Sequence, residues 1–113
     1  MQKEVNFVSK FYIKFRAIPT RFPANPEDIN KLGCLLCEWT KADLKSGAFK
    51  DWGGAPGGQS GYAIAEGVSE TELSTTLQKY NSFYYFEITP VLTIDQFVES
   101  IGKVARARKS AKK

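Results

Sequence analysis

Histidine is absent from the 113 residues, and sulfur nearly so, with two cysteines and one methionine. Without imidazole the chain lacks the commonest general base at neutral pH. Cys34 and Cys37 form a Cys-x-x-Cys pair, which supplies half of a four-ligand zinc site and finds no histidine to complete it. A redox pair of this spacing sets its first thiol at a helix N-terminus, where the dipole lowers the thiol pKa. Here the pair falls well inside a helical pattern, beside Gly33 and Leu35-Leu36. The expectation is two buried thiols packed as small hydrophobes. No apolar run approaches the ~20 residues of a membrane span. Met1-Gln2-Lys3-Glu4-Val5 lacks the apolar run of a secretory signal. These absences lead us to expect a soluble, cytoplasmic chain with no membrane partner, no metal and no cofactor.

Charge of one sign is also scarce over most of the chain. The net charge is +4, from 16 basic and 12 acidic residues. Arg106, Arg108, Lys109, Lys112 and Lys113 stand near the C-terminus; without them 11 basic residues face the same 12 acidic ones, a net of −1. The basicity is thus terminal, as in a solvated chain end. Such a tail touches phosphates without sequence preference, which makes nucleic acid an unfavoured partner. The rest, with 42% hydrophobic and 25% charged residues overall, has a globular composition, and the length suits one core. Residues 1–105 are expected to form a single domain, and 106–113 a disordered basic tail.

What is present is a sequence of alternating periods. From Lys10 to Ile18, Phe11, Ile13, Phe15 and Ala17 alternate with Tyr12, Lys14 and Arg16, the period of a strand. Pro19 and Pro23 end it and force an extended connection. Asn25-Pro26-Glu27-Asp28 reads as a helix start, with Asn as N-cap, Pro at the first position and acids in the first turn. Ile29, Leu32, Leu36 and Trp39 then follow at spacings of three and four, and Gly47 stops the helix. Ala48–Trp52 and Gly61–Glu66 read as short strands. Ser69 with Glu72 makes a capping box opening a helix through Leu73, Leu77 and Tyr80. Ser82–Val91 is the strongest strand signal. Thr93 with Gln96 opens a last helix carrying Ile94, Phe97, Val98, Ile101 and Val104.

Between the two short strands, Gly53 to Ser60 spells G-x-x-x-x-G-Q-S, one residue from a phosphate-binding loop. That loop needs a lysine where Gln59 stands and must run from strand into helix. Here a strand follows, so the segment is expected to be a flexible hairpin connection.

The order strand–helix–strand–strand–helix–strand is that of a ferredoxin-like α+β sandwich, a four-stranded antiparallel sheet with both helices on one face, here with a C-terminal helix added. The other face is bare. Phe11, Ile13 and Phe15 should face the helices, leaving Tyr12, Lys14 and Arg16 outside. In the last strand Tyr84, Phe86 and Ile88 should be inward, with Phe83, Tyr85 and Glu87 outward. In the third strand Tyr62 and Ile64 are expected inward, Ala63 and Ala65 outward. Large aromatics gathered on an open face mark an interaction surface.

Phe11-Tyr12-Ile13-Lys14-Phe15, the capped long helix, Gly61-Tyr62-Ala63-Ile64, the Ser69-Glu70 helix and Asn81 to Ile88 together resemble the dimeric α/β-barrel superfamily, nearest in spacing to muconolactone-isomerase-like and small uncharacterised members. The resemblance spans residues 10–92 and is one of element order. It implies a homodimer whose sheets pack through their open faces, with small-molecule pockets between sheet and helices. Members of that superfamily include isomerases, cofactor-free quinol monooxygenases, haem enzymes and ligand-sensing domains. No catalytic motif of the superfamily carries over to these positions, and the absence of histidine removes the axial ligand of the haem members.

The chemistry must then come from the open face. Lys14, Arg16 and Glu87 among Tyr12, Tyr85 and Trp52 suit a small flat ligand, aromatic or anionic. A carboxylate among aromatics is a candidate proton shuttle. Equally, Lys14 or Arg16 pairs with Glu87 across adjacent strands at a dimer interface. The reading is a dimeric protein that binds a small ligand without established catalysis, the alternative being a cofactor-independent isomerase or monooxygenase.

Overall fold

The alternation in residues 10–17 produces one of the two inner strands of the sheet. In a computed structural model, which describes residues 9–111, the elements follow as β1 (Lys10–Ala17), α1 (Pro26–Ser46), β2 (Asp51–Gly54), β3 (Ser60–Glu66), α2 (Glu70–Gln78), β4 (Tyr84–Val91) and α3 (Ile94–Ala111). The sheet order is β2-β3-β1-β4, with every neighbouring pair antiparallel. This is the α+β, ferredoxin-like arrangement expected. The connection after β1 is not extended throughout: Pro19–Arg21 forms a 3₁₀ turn with proline at its start.

The helix signals act as their chemistry predicts. The Asn25 side chain accepts from the Glu27 and Asp28 amides at 2.7 and 3.3 Å, satisfying donors that a helix N-terminus leaves open. Gly47, with φ 90°, caps α1 in the left-handed region, where a side chain is disfavoured. Ser69 and Glu72 exchange hydrogen bonds at the head of α2, and Thr93 and Gln96 do so at the head of α3.

The core lies between the sheet and α1 and α2. Phe11, Ile13, Leu36, Phe49, Leu73, Leu77 and Tyr80 are buried, and Ile13 is fully enclosed. Ala63 and Ala65 are buried with them, opposite Ile13 and Phe11 in the register. Directly opposed residues of an antiparallel pair share a face. β3 is therefore turned over from the expected orientation: the alanines face the helices, and Tyr62 and Ile64 the open side. Size misleads here. Phe11, Ile13 and the helix side chains already fill the space, and close packing leaves room for methyl groups alone. At Gly61 even that is too much, because a Cβ there would run into Phe15 and the Gly53 carbonyl oxygen.

Phe83 is the second correction. It lies in the turn before β4, donates its amide to the Tyr80 carbonyl at 2.9 Å, and packs edge-on to Phe22 instead of projecting from the open face. β2 also starts later than expected. Ala48 and Phe49 form the approach to it, and Phe49 is buried in the core.

Cys34 and Cys37 are the third correction, since both thiols are exposed. α1 turns Leu32, Leu36 and Trp39 toward the core. At 3.6 residues per turn, Cys34, two residues past Leu32, falls on the far side. Among the described residues no group of three or more histidine, cysteine or acidic side chains could hold a metal ion. Alkylation with iodoacetamide at pH 8 should modify both cysteines of the native protein as fast as in urea; protection in the native state would contradict this placement.

One polar clamp joins α1 to the turn after α2. Asp43 accepts from the Tyr80 hydroxyl at 2.6 Å and meets the Lys79 ammonium at 2.9 Å. Burial first, and then the hydrogen bond to Asp43, hold the Tyr80 phenol above its ordinary value. A raised folded-state pKa makes stability fully present below the unfolded tyrosine value of about 10 and lost as pH rises beyond it. Urea midpoints should therefore fall from pH 8 to pH 11. Tyr80→Phe should cost roughly 1 kcal/mol at pH 8 and make that fall shallower. An unchanged slope would mean that Tyr80 is not the group responsible.

Candidate functional site

The open face can be read in rows, because β1 fixes the register on both of its sides. Asp51, Ile64, Tyr12 and Thr89 form the first row across β2, β3, β1 and β4; Gly53, Tyr62, Lys14 and Glu87 form the second; Ser60, Arg16 and Tyr85 form the third. α1 and α2 lie on the other side, so these side chains have no helix above them. Tyr12 and Tyr85 are 36% and 54% exposed.

Local interactions tie the first row to the second and operate within the second and third. The Tyr62 hydroxyl donates to Asp51 Oδ2 at 2.8 Å, and its ring stacks on Tyr12 with centroids 6.3 Å apart. The ring lies over Gly53, where a Cβ would strike it, so the bare backbone of β2 is what lets the tyrosine lie down. The hydrogen bond to Asp51 is the main cause raising the Tyr62 phenol above its ordinary value, with desolvation and the Asp51 charge adding to it. Lys14 Nζ lies 4.0 Å from Glu87 Oε1, both side chains mostly exposed. The Arg16 guanidinium sits 5.0 Å from the centre of the Tyr85 ring, a cation–π contact worth about 0.5–1 kcal/mol at an exposed site.

Of the six residues singled out from the sequence, five meet on this face: Tyr12, Lys14, Arg16, Tyr85 and Glu87. Trp52 does not join them. It pairs with Ala63 in the register and so lies on the helix side of the sheet. There it stacks on Phe15 with centroids 5.8 Å apart, and its ring reaches across Gly54, where a Cβ would approach it to 2.8 Å. Phe15 in turn meets Tyr84 edge-on at 5.3 Å, and burial raises the Tyr84 phenol, with a smaller contribution from the Cys37 charge. Tyr62, Ile64 and Asp51 also lie on the open face and escaped the sequence reading. The signal for them was the phase of β3 against β1.

A separate hollow of about 310 Å³ opens between α2 and β4. Its floor is apolar, with Phe11, Leu73, Leu77, Phe86, Ile88 and Pro90, while the exposed Glu70, Ser74 and Asn81 supply its polar groups.

The arrangement offers flat rings, the cations Lys14 and Arg16 and the carboxylates Asp51 and Glu87 on one shallow surface, which can hold a flat anion or meet a like surface. Among the described residues no helix is long and apolar enough to cross a membrane. No curated protein sequence and no solved structure matches the chain. A family model does match, over residues 20–105, and its description is a domain of unknown function, DUF3303. The matched span takes in α1 through the first two-thirds of α3, the greater part of the chain, and the protein is a member of the DUF3303 family.

Proposed function

We propose that this domain is a homodimeric small-molecule-binding protein of the dimeric α/β-barrel type, its two sheets closing open face to open face around a flat, aromatic or anionic ligand. The observation that carries the reading is the row Tyr62–Lys14–Glu87 with Tyr12 on one side and Arg16–Tyr85 on the other. Removing an aromatic side chain from water contributes roughly 2–3 kcal/mol, so several left bare on one face favour a covering surface. A second copy brings the same rings and charges. Lys14 and Arg16 of one copy can then meet Glu87 of the other, or share a ligand carboxylate between them.

In this reading Tyr12, Tyr62 and Tyr85 supply stacking planes, Lys14 and Arg16 bind the anionic group, and Asp51 holds Tyr62 in place. Trp52 belongs to the opposite face and takes no part. The alternative, a cofactor-independent isomerase or monooxygenase, would use Glu87 as its proton carrier, since it stands beside the cation that would fix the substrate.

Sedimentation at tens of micromolar should give twice the monomer mass, and Tyr85→Glu should return the monomer with the fold intact by circular dichroism. Benzoate, as a probe of flat anions, should produce a saturable change in tyrosine fluorescence. Lys14→Gln or Arg16→Gln should each weaken it roughly tenfold, the loss of one charge-assisted hydrogen bond. A monomeric native chain, or benzoate binding indifferent to both cations, would remove this reading. Glu87→Gln should leave benzoate binding in place; loss of turnover on an identified substrate in that variant would favour the enzyme.

A further inference from the structure

α3 leaves the body of the domain with its apolar stripe uncovered. Ile94, Phe97, Val98, Ile101 and Val104 follow one another at spacings of three, one, three and three residues, on one side of the helix, and are 48–72% exposed. Eighteen residues at 1.5 Å each give a rod about 27 Å long, and the described residues together measure 70 × 30 × 21 Å. The helix begins two residues after β4, and the reciprocal Thr93–Gln96 bonds, at 2.8 and 3.2 Å, fix its first turn. For the stripe to reach its own sheet, the chain would have to reverse within the two residues Leu92 and Thr93.

The same chain carries a matching receptor. The hollow between α2 and β4 has a floor of the buried Leu73 and Leu77 and the half-buried Phe86, and a rim of exposed Ile88 and Pro90, Ile88 at 43% exposure. α2 is nine residues long, about 13 Å. The segment from Phe97 to Arg108 spans about 16 Å, so the two lengths agree. Charge agrees as well. Glu70 lines the hollow at the head of α2, and Glu66 and Glu72 stand close to it in sequence. Arg108 continues the α3 stripe, four residues beyond Val104 and seven beyond Ile101, with Lys109 next to it.

We infer that α3 of one copy docks in the α2–β4 hollow of a second copy, antiparallel to that copy's α2, with Arg108 beside Glu70. The exchange is reciprocal. A two-fold axis gives each copy one donated helix and one filled hollow, so a modest groove counts twice toward the roughly 1,600 Å² of a stable interface. The contact goes beyond the open-face pairing, because the hollow lies on the helix side of the sheet and Tyr85 on the other. The basic end of the chain thereby acquires a role as the electrostatic guide that sets the direction of the docked helix.

Disulfide trapping in a cysteine-free C34S/C37S background tests this directly. Chains carrying only S74C, mixed with chains carrying only V104C, which lies level with Ser74 when Arg108 stands beside Glu70, should form a covalent heterodimer under mild oxidation, and the doubly substituted chain should crosslink between molecules, not within one. The pair F97E/I101E, both on an exposed helix face, should raise the dimer dissociation constant at least roughly tenfold with an unchanged circular dichroism spectrum. Glu70→Arg should lower the trapping yield, and adding Arg108→Glu should restore it. Crosslinking within one chain would overturn the exchange. So would a native dimer lost in Y85E but untouched by F97E/I101E, which would leave the open-face pairing standing. Absence of trapping, together with cosedimentation of the chain on phosphatidylserine vesicles that I101E abolishes, would overturn it in favour of a membrane surface.

Discussion

β1 is hydrogen-bonded along both edges, to β3 on one side and β4 on the other, over nearly its whole length. Both registers are set against this strand, and with them the phase of every side chain on the two faces of the sheet. Ile13 and Phe11, at its centre and start, are buried among Leu36, Leu73 and Leu77, while Tyr12, Lys14 and Arg16 project the other way. A slip of one residue would exchange these two sets, placing two cations in the core. The cost of burying unpaired charge therefore protects the register that assembles the open face.

Around that strand the domain distributes its polarity unevenly. The helix side is apolar and closed by α1 and α2, with Asp43, Tyr80 and Lys79 as a polar clamp where α1 meets the turn after α2. The open side is built from rings and charges that touch one another at long range: a 4.0 Å ion pair, a 5.0 Å cation–π contact and a 6.3 Å ring stack. Exposed ion pairs of this kind contribute little stability by themselves. Their arrangement matters more as a surface than as a brace, because the same groups gain strength once water is excluded.

α3 stands apart from both layers. Its cap is complete and its stripe continuous, yet among the described residues that stripe stays about half exposed or more. Most helical stability in proteins comes from packing an apolar face and not from propensity. A helix presented in this way is half of a contact, and the α2–β4 hollow is shaped and charged as the other half.

The local signals in the sequence determined the element order, the three helix starts and the β1 faces, because caps and periodicity act within a few residues. They also placed Tyr12, Lys14, Arg16, Tyr85 and Glu87 on one surface, since both strands involved show clear alternation. β3 was different. Ala63 and Ala65 alternate with Tyr62 and Ile64, and alternation names two faces without saying which is inward. Only pairing with β1 decided that, by setting alanines against Phe11 and Ile13, where no larger side chain fits. The same pairing sent Trp52 to the helix side and Tyr62 to the open face. Tertiary structure also decided the fate of Cys34 and Cys37, exposed because α1 turns Leu32, Leu36 and Trp39 to the core, and of α3, whose amphipathic pattern promised a partner without locating it. Each of these outcomes depends on what lies across a gap between elements distant along the chain, and no local pattern carries that information.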